Sequence, residues 1–153
     1  MSNLEITLLD ADQARLEKLV MAFKGSDVVR VQKVSRVHYT HPPSGLDAVF
    51  LVVPAAERWG AKPVPGAQIF KTSADDQRDG IPPYVVAGGV LRPGDPRDPV
   101  QDAKIVIGTA LNAIREFNQA NKGKEIHNVG FWVVNLLGGV TPEQLSTIFA
   151  EVL

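Results

Sequence analysis

The residues best suited to chemistry lie in "VVNLLGGVTPEQL", positions 133–145. An apolar run ends at Asn135, Leu136 and Leu137 follow, and Gly138-Gly139-Val140 leads straight into a helix start. Thr141 suits the N-cap, Pro142 the first helical position, and Gln144 closes a capping box. Glycine can take positive φ and lets a ligand approach the backbone closely. The free amides and dipole of a helix N-terminus favour phosphate. Two readings stand side by side: an anion cradle, or a tight strand-to-helix turn whose cap already satisfies some of those amides.

A second pair, Gly88-Gly89, closes the apolar run "YVVAGGVL". It either forms the facing wall of one cleft or allows a bulge or close packing. Trp59 falls just past another apolar run, where an aromatic stacks on a base or caps the core. Phe131 is the second candidate ring, and its neighbour Trp132 reads as core. The histidines offer no metal site. His38 and His41 stand three apart but run into Pro42-Pro43, with no acidic third ligand nearby. Asp75, Asp76 and Asp79 fall in a polar stretch and read as solvated. No serine sits in a nucleophile elbow, the Walker pattern is missing, and the absence of cysteine excludes thiol chemistry and zinc–thiolate sites. No catalytic residue, metal or cofactor is therefore expected.

These residues need a scaffold, and 153 residues suffice for a single domain spanning 1–153. A formal charge of −1 and a pI near 6.3 give no electrostatic reason to expect nucleic acid or an anionic membrane as partner. No apolar run is long enough to span a bilayer. The N-terminus lacks the pattern of a signal peptide, so a cytoplasmic location is expected. Residues 4–10 read as a strand. Asp10 and Gln13 then form an acidic variant of a capping box, opening a helix with Leu16, Leu19, Val20 and Phe23 inward. Residues 27–34 read as a second strand and 46–54 as a central parallel strand, apolar on both faces. Residues 57–66 read as a loop, 67–73 as a strand, 74–83 as a polar loop and 84–91 as a buried strand. Residues 92–99 are too proline-rich for helix or central strand. A long helix carries Ala103, Val106, Ile107, Ala110, Leu111, Ile114 and Phe117 on one face, then comes a strand over 126–135 and a last helix from Thr141. Strands alternating with helices predict an α/β protein, a three-layer α/β/α domain with a mixed, largely parallel central sheet. Ligands in such sheets bind beyond the carboxyl ends of the strands.

The order of segments resembles a macro domain, the ADP-ribose-binding α/β/α family, and more narrowly its divergent bacterial and phage members. "LDAVFLVVPA" is similar to the family's Asp-Ala strand leading to a Pro-Ala-Asn-Ser loop. "PPYVVAGGVLRPGDP" is similar to its Pro-Tyr strand, "ALNAIREFN" to its long helix, and "VVNLLGGVTPEQ" to the second glycine-rich loop that cradles the diphosphate. The resemblance implies a binding module for ADP-ribose or a related adenosine nucleotide, with Leu137, Gly138, Gly139, Val140 and Thr141 on phosphate, Gly88 and Gly89 opposite, and Trp59 or Phe131 on a ring. The chain also departs from the family. The acidic residue that meets adenine falls at Arg36, the asparagine of the distal ribose falls at Ala56, and the first glycine-rich loop is missing. These departures disfavour an ADP-ribosyl hydrolase. They leave as alternative a ligand-free relative that acts through a protein partner or as a homo-oligomer.

Overall fold

A computed structural model describes residues 4–89, 98–136 and 138–153. Its centre is a six-stranded sheet in the order β2-β1-β6-β3-β5-β4. The strands are β1 (Glu5–Asp10), β2 (Val29–Lys33), β3 (Ala48–Val52), β4 (Gln68–Lys71), β5 (Tyr84–Gly88) and β6 (Asn128–Trp132). All pairings are parallel except that of the edge strand β4 with β5. β3 lies between β5 and β6, with Phe50 opposite Val86 on one side and Phe131 on the other. Its continuous apolar sequence is what a strand covered on both faces requires.

Three helices cover one face: α1 (Gln13–Ala22), α3 (Pro99–Ala120) and α4 (Pro142–Val152). Leu19 of α1, Ile107, Leu111 and Ile114 of α3, and Leu145, Ile148 and Phe149 of α4 bury against Ile6, Leu8, Phe50, Val86 and Phe131. The other face is covered by irregular chain. Val34, Val37 and Leu46 pack there with the 3₁₀ helix Val53–Trp59 over Leu9, Val49, Leu51, Val85 and Trp132. The short helix α2 (Ala74–Arg78) is hydrogen-bonded to that 3₁₀ helix through Trp59 and Asp76. This distribution follows from a single crossover hand. The β1–α1–β2 and β5–α3–β6 connections both step toward the β2 edge and share one face, while the β2-to-β3 connection steps back and lies on the other.

Several local expectations change. The N-cap of α1 is Asp12, whose carboxylate accepts from the Arg15 backbone amide at 3.0 Å. Asp10 still accepts from a free amide, that of Asp12 at 3.1 Å, and also binds the Arg15 guanidinium twice, at 2.6 and 2.7 Å. Val20 is 52% exposed, because the buried stripe of α1 runs through Leu19 and Phe23 and leaves Val20 at its side. Residues 53–59 form the 3₁₀ helix, ended by Gly60 at φ 97°. The stretch read as a polar loop contains α2, opened by a Ser73–Asp76 capping box, with Asp76 bonded rather than solvated. Pro99 is not excluded from helix: it opens α3 behind the Asp98 cap, where its missing amide costs nothing. Residues 92–97 lie outside the described residues. The strand expected to reach Asn135 ends at Trp132 and continues as a 3₁₀ turn over Val133–Asn135.

Candidate functional site

A cleft of about 240 Å³ opens at the carboxyl ends of β3, β5 and β6, against the start of α3. Phe50 and Val52 come from β3, Gly89 follows β5, and Asn135 and Gly138 follow β6. Asp102 and Val106 come from the first two turns of α3. The position is forced by topology. Chain leaving β5 must return over the sheet through α3 to enter β6 beside β1, and the strand ends part beneath it. Asp98 caps α3 by accepting from Val100 N at 2.9 Å, which fixes the helix start against the cleft.

The walls are mainly apolar, with two polar side chains among them. Asp102 contributes a carboxylate, half-buried in the first turn of α3. Asn135 contributes a carboxamide whose Nδ2 is buried and finds no acceptor among the described residues. An unpaired buried donor costs about 1–3 kcal/mol, which an acceptor entering the cleft removes.

The predicted site residues are dispersed. Gly138 and Gly89 line the cleft. Gly89 has φ 81°, a conformation other residues rarely take. Gly139 has φ 80°, and a Cβ there would meet Pro99 Cβ and Cγ at 3.0 Å. Its glycine thus serves the turn and the approach of α3. Gly138 is different: a Cβ on it meets no described atom within 4 Å. Gly88 sits in β5, where a Cβ would come within 3.2 Å of the Phe50 ring. Val140 and Thr141 line a separate hollow at the start of α4, beside Arg15 and Lys18 of α1. Thr141 is the N-cap as expected: its amide donates to Gln144 Oε1 at 2.9 Å, and Gln144 N donates to Thr141 Oγ1 at 3.1 Å. Phe131 is fully buried, stacked on Phe50 at 5.1 Å and edge-on to Phe149 at 5.9 Å. Trp59 lies on the opposite face of the sheet, donating through Nε1 to Asp76 at 3.0 Å beneath the Arg58 guanidinium. Leu137 lies outside the described residues.

Asp102 and Asn135 did not figure among the predicted ligands. For Asp102 a signal exists, since it stands four residues before Val106 and next to Ala103 on the inward stripe of a long helix. An acidic residue on that stripe is out of place unless it faces an opening.

The fold and cleft define the class: an α/β protein with a largely parallel sheet and a small-molecule-sized cleft beyond its strand ends. Comparison with protein-family models, with characterised proteins and with solved structures finds no match to this chain.

Proposed function

We propose that the chain is a macro-like binding module that holds ADP-ribose or a related adenosine nucleotide in this cleft without hydrolysing it. One observation carries the reading. No described atom crowds Gly138 at the strand ends, and it lines a cleft in which Asn135 Nδ2 finds no acceptor among the described residues. A sugar hydroxyl satisfies the Asn135 amide, and Asp102 accepts from a hydroxyl or amino group. The apolar walls suit a ring, and phosphate lies toward Gly138, away from the Asp102 carboxylate. Ala56, where the resemblance expects the asparagine, is fully buried in the 3₁₀ helix and offers no carboxamide. Ala56 also lies on the opposite face of the sheet, so the position from which the family holds the distal ribose for hydrolysis supplies no group to this cleft.

Calorimetry against ADP-ribose, NAD, ADP and AMP tests the reading. Saturable binding of at least one supports it, and flat traces with all four contradict it. A second reading, a protein that works through association, is favoured by the adjacent side chains Val20 and Met21, 52% and 69% exposed on α1. It predicts flat calorimetric traces together with a mass above the monomer in light scattering.

A further inference from the structure

The sheet face opposite the long helices carries a second cleft, of about 320 Å³, with Lys33, Arg36, His38, His41 and Trp132 in its lining. Lys33 ends the edge strand β2, and the other cationic or protonatable groups follow in the loop that crosses to β3. That loop is held in place. Trp132 Nε1 donates to the Tyr39 carbonyl at 3.1 Å, and the two rings meet edge-on at 6.0 Å. His41 N donates to the His38 carbonyl at 2.9 Å, closing the turn.

The two histidines have different tasks. Both ring nitrogens of His41 are engaged, Nδ1 with Thr40 Oγ1 at 2.7 Å and Nε2 with Asp79 Oδ2 at 2.9 Å. The His38 ring stacks on this fixed ring at 4.2 Å. His38 is thereby oriented without spending its own nitrogens. Among the described residues, neither the His38 nitrogens, the Lys33 ammonium nor the Arg36 guanidinium has a hydrogen-bond or ion-pair partner. The carboxylate tied to the cluster, Asp79, is held by His41 on its far side. Three nitrogen-bearing groups thus line one concave wall with no carboxylate bonded to any of them, which is the complement of an oxyanion.

We propose that this cleft binds phosphate, as the free anion or as a small phosphate monoester. Arg36 takes two oxygens in its planar fork, Lys33 supplies a point charge, and the His38 ring donates a third contact. The site lies across the sheet from the cleft assigned to a nucleotide. Arg36, where the resemblance expects the residue that meets adenine, lines this site and not that cleft, and the proposal does not depend on that assignment.

The test is a resonance titration of the full chain with inorganic phosphate, glycerol 2-phosphate and acetate at fixed ionic strength. It follows the ring signals of His38 and His41 and the indole N–H of Trp132. Saturable shifts with both phosphates, and none with acetate, are expected. The tighter of the two identifies free anion or ester as the ligand. Arg36→Gln is expected to weaken binding at least about tenfold, the loss of a charge-assisted pair, and Lys33→Gln to weaken it less. Both side chains are exposed, so both variants fold. Gly138→Val leaves the titration unchanged. Shifts that do not saturate, equal shifts with acetate, or an Arg36→Gln affinity equal to wild type would overturn the proposal.

Discussion

Gly138 and Gly139 are neighbours with opposite reasons for being glycine. Gly139 is bound to the fold by its positive φ and by Pro99, so Gly139→Val strains the turn and is predicted to lower the melting temperature whatever the cleft holds. A Cβ on Gly138 meets no described atom within 4 Å. Gly138→Val is predicted to fold with an unchanged melting temperature and to fill the cleft mouth. The sequence shows two glycines and cannot separate these roles, because Pro99 is forty residues away in the chain and meets Gly139 only in three dimensions. Asp10 and Arg15 are a second case at this scale. Burial raises the Asp10 pKa, but the Arg15 guanidinium and the amides of Asp12 and Ala11 more than offset that and hold the carboxyl below its ordinary value near 3.8. A depressed folded-state pKa means the contribution is complete above the unfolded value and drains away as pH falls through the lower folded value. Acid titration of stability should therefore show a loss below about pH 4 that Asp10→Asn flattens. At neutral pH that variant is predicted to cost on the order of 2 kcal/mol in urea unfolding, since it strands a part-exposed Arg15. A variant as stable as wild type across pH would show the pair to be idle.

Elements with complete local signals were legible. The α4 start was readable to the residue, because cap, proline and box partner are all within four positions and need no tertiary information. Thr141→Ala is predicted to cost about 1 kcal/mol of stability and to leave nucleotide affinity nearly unchanged, as Thr141 lies outside the cleft. Chemical denaturation and calorimetry on the same variant check both halves. α2 was not legible. It is one short turn with no buried residue of its own, and it is anchored by the contacts of Trp59 and Arg58 with Asp76. The Trp59 hydrogen bond foremost, with those from Ser73 and the charge of Arg58, also holds the Asp76 carboxyl below its ordinary range against the effect of burial. Trp59→Phe keeps the ring in the apolar layer and removes the donor. Hydrogen exchange should then quicken over residues 74–79 while β3 and β5 stay protected, and unchanged exchange there would refute the anchor.

At the scale of the molecule, strand–helix alternation revealed the sheet and its largely parallel character, since periodicity is a property of the chain itself. Strand order was not accessible, because which strands adjoin is decided by how the crossovers pack. With it went the cleft, whose walls come from four separated segments. Glycines and rings are the local signals the sequence offers, and the fold gathers Gly138 and Gly89 with Asp102 and Asn135. The most direct test of a nucleotide module is calorimetry with ADP-ribose on the wild type, Gly138→Val and Asn135→Ala, each first shown to melt like the wild type. Binding by the wild type, its loss in Gly138→Val and a clear weakening in Asn135→Ala are predicted. A wild type that binds none of the adenosine nucleotides, or one whose affinity survives both substitutions, would contradict the assignment of this cleft.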